Sequence, residues 1–348
     1  MPGSMPARDP RTTLTQVAER AGVSLTTASL VLGGKADQHR ISSDTLQRVL
    51  RAAEELDYAP NLLVKSLRHG HTNILAFLSA FRHRHASDLY MDRLSTSIEM
   101  AVGRHGYNVL VYCNHALGAE ETYRFLNGGH TDGLLFFAPL PDDPLLPYVR
   151  QSRQTTVLIN ARDDAGVLPC ARDDVESGMC QVAHALLSLG HRRIVALGEE
   201  GRAFRDSAER IALLERHLCE AAPVGLEFAT ASLRGSAESL LRDLMGGARP
   251  PTALFCWRDR MAYWFLEACE SLGIDVPGRL SIVGYDGLHW PAATRHVAAS
   301  VRVDLDALAE AAVGLLDGLI HRRHGAPDEA RVPVVLSPGT TLGPASGP

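Results

Sequence analysis

TLTQVAERAGVSLTTASLVL, residues 13–32, has the spacing of two short helices joined by a tight turn. Val17, Ala18 and Ala21 fall on one face of the first helix, and Thr13 is placed to cap its N-terminus. Gly22 ends that helix, as a residue free to take positive φ does. Ser24 caps the second helix, LTTASLVL, whose Ala28 and Val31 pack back onto the first where Ala18 is small. Leu25, Thr26, Ser29 and Leu30 then face outward. A helix presented this way fits the major groove of DNA, N-terminal residues foremost. Spacing alone leaves a second option open, because any small three-helix unit shows the same pattern.

Working outward, a polar loop, GGKADQHRI, leads to a third helix, SDTLQRVLRAAEELDY. Ser42 caps it, Leu46, Val49, Leu50, Ala53 and Leu56 recur at helical spacing, and Pro60 is expected to stop it. Residues 1–12 are polar and rich in Pro and Gly, the composition of a disordered arm. The expected plan is a helix-turn-helix domain over 13–60, a linker over 61–72, and a larger domain over 73–344. In that larger part NILAFLS, YNVLVYC, TDGLLFFA, TTVLIN, RRIVALG, TALFCW and LSIVGYD alternate with helical stretches. Continuous apolar strands between helices mean parallel sheets covered on both faces. Their number over this length predicts two α/β lobes, one of about 73–171 and 300–331, the other of about 172–299 and 332–344. The fold class is therefore an all-α head on an α/β two-lobed body.

At 348 residues, 45% hydrophobic and 22% charged, the chain is long enough for more than one core. The net charge of -5 is unevenly spread. Residues 1–71 hold nine Lys/Arg against seven Asp/Glu, so the head is mildly basic and the body acidic, which suits phosphate contact by the head alone. The six cysteines are scattered singly, with no C-x-x-C pair, which argues against a disulfide framework or clustered zinc site and fits a reducing cytoplasm. No apolar run approaches a membrane span, the N-terminus lacks an apolar signal region, and the C-terminal LSPGTTLGPASGP lacks leucine heptads. No nucleophile elbow, Walker loop, H-E-x-x-H or G-x-G-x-x-G is present, so no catalytic residue, metal or cofactor is expected.

The run TLTQVAERAGVSLTTASLVLGGK…RISSDTLQRVLRAAEELDYAPNLLVKSLRHGHTNILAFL resembles the LacI/GalR family of bacterial regulators. So do GHRRI at 190–194, RPPTALFCWRD at 249–259 and VPGRLSIVGYD at 276–286. The resemblance implies a homodimer on a roughly palindromic double-stranded operator. It also implies an effector domain like a periplasmic binding protein, with a small molecule between the lobes. Leu25 and Thr26 sit where the family reads bases; Thr13, Ser24, Ser29 and Thr45 sit where it contacts phosphates. Thr13 and Ser24 keep their plainer reading as helix caps. Leu30 departs from the usual Arg and cannot grip a guanine bidentately, so the operator code is expected to differ. Lys35, His39 and Arg40 in the longer loop either replace lost contacts or are simply solvated. Residues Asn61–Arg68 match the hinge helix that forms in a widened minor groove, with Leu67 as the wedge between base pairs and Lys65 near phosphate. Tyr58 and Asn61 match well, whereas Val64 replaces the usual alanine.

Ligands in open α/β folds bind at the carboxyl ends of strands. Ser79, Asn160, Arg162, Arg210, Trp257, Arg258, Asp259 and Asp286 stand there. Arg210 and Asp286 occupy the positions that hydrogen-bond sugar hydroxyls in the family, and Trp257 either stacks on a sugar face or belongs to the core. Arg162, Arg210 and Arg258 open the option of an anion such as a sugar acid, beside the default of a neutral carbohydrate. The runner-up function is a solute-binding protein of the same two-lobed fold without gene regulation. Asp173–Asp174, just before a helical stretch, read as capping residues, not as acid/base or metal groups.

Overall fold

The computed structural model describes residues 12–34, 36–59, 70–80, 88–199, 205–222, 224–322 and 328–346. The chain divides into two compact units, 1–72 and 73–348.

The first unit holds three helices: α1 (Leu14–Ala21), α2 (Leu25–Leu32) and α3 (Ser43–Glu55). Thr13 and Gln16 form a reciprocal capping box, with Thr13 N–H donating to Gln16 Oε1 at 2.8 Å and Gln16 N–H to Thr13 Oγ1 at 3.4 Å. Ser24 and Ser42 cap α2 and α3 by their side chains alone, accepting from Thr27 N–H and Thr45 N–H. Gly22, at φ +63°, closes α1 in a Schellman motif: Val23 N–H reaches Ala18 O and Gly22 N–H reaches Glu19 O. The apolar seam is made by Val17, Ala28 and Val49, with small alanines letting the helices approach. Each buried valine contributes roughly 1.5–3 kcal/mol.

The end of α3 differs from expectation. It stops at Glu55, short of Tyr58 and well before Pro60. Asp57 takes φ +46°, with Asp57 N–H on Glu54 O and Tyr58 N–H on Ala53 O. This is a second Schellman closure, built on an aspartate where glycine is usual, so hydrogen-bond geometry ends the helix ahead of the proline.

The second unit contains two six-stranded sheets. The first has strands β1 (Ile74–Ser79), β2 (Asn108–Tyr112), β3 (Gly133–Phe137), β4 (Thr155–Ile159), β5 (Cys170–Asp173) and β11 (Glu329–Val332), in the order β11-β5-β4-β3-β1-β2 and all parallel. The second has β6 (Arg193–Gly198), β7 (Glu227–Ser232), β8 (Ala253–Cys256), β9 (Ser281–Asp286), β10 (Ala299–Val303) and β12 (Val334–Ser337), in the order β12-β10-β9-β8-β6-β7. Only the β10–β12 pair there is antiparallel.

Helix α4 (Leu89–Arg104) packs against α11 (Leu305–Ile320), and α11 also covers β3, β4, β5 and β11. Helices α5 (Ala119–Leu126) and α6 (Leu146–Gln151) pack on one another on the same lobe. On the second lobe α7 (Val175–Ser188) lies against α8 (Arg205–Ala221), and α9 (Ala237–Gly246) against α10 (Asp259–Leu272). Gly178 of α7 leaves little room for a side chain, since a Cβ there would stand 3.0 Å from Val301 and 3.3 Å from Tyr285. That close approach brings α7 down onto the strands that carry the cleft residues.

The lobe limits need one correction. Strand β10 belongs to the second sheet, so the chain returns to the first lobe at Asp304, not at about residue 300. The other crossings fall at Asp174 and Pro333. Asp174 and Asp304 each cap the helix that follows, accepting from Ser177 N–H at 3.2 Å and Ala307 N–H at 2.9 Å. Asp174 thus has the capping role; Asp173 does not, and faces the cleft instead.

Candidate DNA-reading head and interlobe site

In the head, Leu25 is 45% exposed and Thr26 is exposed, while Ser29 and Leu30 are half-buried. Leu25 and Thr26 therefore stand out from α2 at its N-terminal end. The hydroxyls of Thr13 and Ser24 are held by their caps, and Ser24 Oγ also lies 2.9 Å from Thr27 Oγ1. Thr45 Oγ1 accepts from Ser42 Oγ at 2.9 Å and from Arg48 Nη2 at 3.4 Å. Arg48 Nη1 in turn donates to Ala21 O at 3.1 Å, so this arginine ties α3 to the end of α1. Tyr58 is half-buried beside the three-helix core, and His39 and Arg40 are exposed. Lys35 and the hinge positions Asn61, Val64, Lys65 and Leu67 lie outside the described residues, as do 81–87.

In the body, a cavity of about 230 Å³ opens at the carboxyl ends of the strands, lined from both lobes by Asn160, Arg162, Arg172, Asp173, Asp206 and Arg210, among others. It shares Leu140 and Arg205 with a more open hollow of about 760 Å³ that also draws on both lobes, through Pro141 and Asp142 on one side and Gly198 and Glu199 on the other. Backbone strain collects around it. Ala138 after β3, Asn160 after β4 and Asp286 closing β9 are non-glycine residues at φ +48°, +51° and +113°. Such strain persists where surrounding structure imposes it, commonly at functional sites.

Arg210 is buried on α8. Its Nη1 donates to Trp257 O at 2.7 Å and lies 3.5 Å from Asp286 Oδ1, and its guanidinium sits 3.6 Å over the Tyr285 ring. Burial pushes the Asp286 carboxyl up to about 7, against the pull of Arg210 and Arg258. Tyr285 donates its hydroxyl to Asp173, and burial together with that carboxylate raises the phenol well above its ordinary value. Asn160 Nδ2 donates to the hydroxyl of Tyr90 at 2.7 Å, while its Oδ1 is buried without a hydrogen-bond partner.

The other expected positions are distributed differently. Arg162 lines the cavity but is half exposed and paired with Glu329 at 2.9 Å. Arg258 lies 4.6 Å over the Trp257 ring and is held by Glu199 at 2.5 Å. Trp257 and Asp259 sit in the second lobe's interior; Asp259 accepts the Leu288 N–H at 2.5 Å and fixes the loop after β9 onto α10. Ser79 borders a separate, smaller hollow with Tyr112 and Phe136. Of the three arginines, Arg162 and Arg210 line the same cavity and Arg258 does not. Tyr90, Asp173, Asp206 and Arg172 were not among the expected site residues. In the sequence Asp173 reads, with Asp174, as a capping residue, and Tyr90 and Asp206 come near it only through folding. Among the described residues no group of His, Cys, Asp or Glu could hold a metal ion, and no helix is long and apolar enough to cross a membrane.

Residues 13–61 match the family model described as bacterial regulatory proteins, lacI family. Residues 183–342 match that of a periplasmic binding protein-like domain. The transcriptional regulator DegA of Bacillus subtilis is 29% identical over 292 residues, covering 79% of this chain and 82% of its own length. The transcriptional repressor PurR of Escherichia coli is 26% identical over 321 residues, 89% of this chain and 91% of that protein. Among solved structures, a lac repressor dimer bound to operator and an anti-inducer covers 96% of this chain and 100% of its own at 22% identity, with a TM-score of 0.81. A transcriptional regulator CelR–cellobiose complex covers 95% of this chain and 100% of its own at 22% identity, with a TM-score of 0.66.

Proposed function

Because the chain belongs to the LacI family of DNA-binding transcriptional regulators, we propose that it is a cytoplasmic repressor whose operator affinity is set by a small carbohydrate-type molecule bound between its lobes. The observation that carries the effector part is the cavity fed by both lobes, at the strand ends where open α/β folds place their ligands. The regulators and repressors among its relatives support this over the reading as a solute binder without gene regulation.

The mechanism is linkage. A ligand that contacts Asn160 of one lobe and Arg210 of the other favours one lobe arrangement over its alternatives. In a homodimer that arrangement sets the spacing of the two linkers over 61–72, and linker spacing sets how well both heads engage a palindromic site. Helix α4 is a candidate dimer surface, since Met100 on it is 59% exposed. Leu25 and Thr26 read base edges, with Thr13, Ser24, Ser29 and Thr45 beside phosphates. Leu67 serves as the wedge in the minor groove, with Asn61, Val64 and Lys65 around it.

Mapping the chain's DNA sites genome-wide, followed by titration of one such site with and without sugars, tests this reading. The expected result is a palindromic motif whose affinity changes when a sugar is added. Binding without sequence preference would overturn it.

A further inference from the structure

The charges around the interlobe cavity are not balanced locally. Every arginine that lines it already has an acidic partner: Arg162 with Glu329 at 2.9 Å, Arg172 with Glu209 at 2.9 Å, Arg205 with Asp164 at 3.7 Å and Arg210 with Asp286 at 3.5 Å. Arg258, behind the cavity, is held by Glu199. Two lining carboxylates remain, Asp173 and Asp206, and neither has an arginine, lysine or histidine within 4 Å among the described residues. Asp173 is only 3% exposed and receives one hydrogen bond, from Tyr285. Asp206 stands in the first turn of α8. That position offsets some of its charge through the helix dipole. Burial and the neighbouring Asp173 nevertheless raise its carboxyl, with Arg210 opposing. A third acceptor, Asn160 Oδ1, is buried and unpartnered at the same cavity. On the donor side, the unpartnered buried atom among the lining residues is Arg210 Nε.

We infer that the effector carries a cationic amine, as an amino sugar or a similarly small aminated polyol does. This rests on the reading of the cavity as an effector site. An ammonium group supplies both the charge that Asp173 and Asp206 lack and N–H donors for them and for Asn160. A neutral sugar supplies donors without the charge, and leaves two carboxylates desolvated against one another. A sugar acid brings a third carboxylate to them, while each arginine that would receive it already has an acidic partner and only Arg210 Nε is left to donate.

The test is titration calorimetry of the full chain against matched gluco, galacto and manno series of hexosamine, hexose and hexonate, alongside melting curves without ligand. At least one hexosamine is expected to bind ten-fold or more tightly than its hexose, with the hexonates weakest. Asp206→Asn is expected to shrink that preference about ten-fold. Without ligand it is also expected to melt higher than the wild type, because it removes one of two crowded carboxylates. Equal binding of hexose and hexosamine, tighter hexonate binding, or a lower melting point for Asp206→Asn overturns the amine. No response to any member of any series, with site-specific DNA binding intact, overturns the effector reading together with it.

Discussion

Asp163 and Asp286 are both carboxylates withdrawn from water, yet they are pushed in opposite directions. Burial works to raise Asp163, but bonds from Arg150 at 2.6 and 2.9 Å and from the N–H groups of Val167, Leu168 and Ala165 outweigh it, so its carboxyl is held below the usual value. For a folded-state value below the unfolded one, stability is present above about pH 4 and is lost as pH falls through the folded value. Asp163→Asn should cost about 1–3 kcal/mol at pH 7. That difference should close in denaturant melts carried out in acid. Asp286 has the reverse sign. With its folded value near 7, above the unfolded one, its contribution is full below about pH 4 and is lost between there and pH 7. The chemistry of neither residue was legible from its neighbours in sequence. Asp286 was found through the motif VGYD, but its partner Arg210 stands 76 positions earlier, and only the fold brings the two together. At the reading surface, Leu30→Arg should shift the preferred operator towards guanine at one position, read by selection of bound sequences. An unchanged preference would place the reading face elsewhere.

At the scale of elements, the head ends two helices with the same closure on different residues. Gly22 and Asp57 both adopt left-handed φ, and only the first is glycine. Gly22→Ala should therefore destabilise the head by about 1 kcal/mol, and Asp57→Gly should stabilise it by up to about as much, both measured as melting shifts by circular dichroism. The first helix end was readable from Gly22, because glycine marks a left-handed residue; the second was not, because Asp57 carries no such mark and Pro60 offered a plausible but later stop. The same contrast runs through the sheets. The apolar interior strands β1, β3, β4, β6, β8 and β9 announce themselves, as does β2. Strands β5, β7, β10, β11 and β12 lie at or next to a sheet edge and are short or interrupted by polar residues, so pairing rather than composition makes them strands. Between α4 and α11, Tyr107 Oη donates to the buried Asp317 at 3.0 Å. Tyr107→Phe should cost about 1–2 kcal/mol in chemical denaturation.

At the scale of the molecule, the proposed function makes ligand and operator affinity two readings of one coupling. If the effector weakens operator binding by some factor, the operator must weaken effector binding by the same factor, and calorimetry with and without a DNA duplex should return matching ratios. A ligand at a hundred times its dissociation constant should add about 2.7 kcal/mol to the stability of the chain. Operator affinity should fall steeply with added salt, as phosphate contacts require. The three crossings at Asp174, Asp304 and Pro333 bear on a different matter, the order in which the chain is made. The head is one continuous stretch and can fold as soon as it leaves the ribosome. The first lobe cannot, because the helix covering its sheet and its outermost strand β11 are translated some 145 residues or more after β4, once nearly all of the second lobe has emerged. A nascent chain stalled before residue 305 would thus hold a finished reading head on an unfinished body. Interrupted synthesis would leave a DNA-binding fragment with no means of being told to let go.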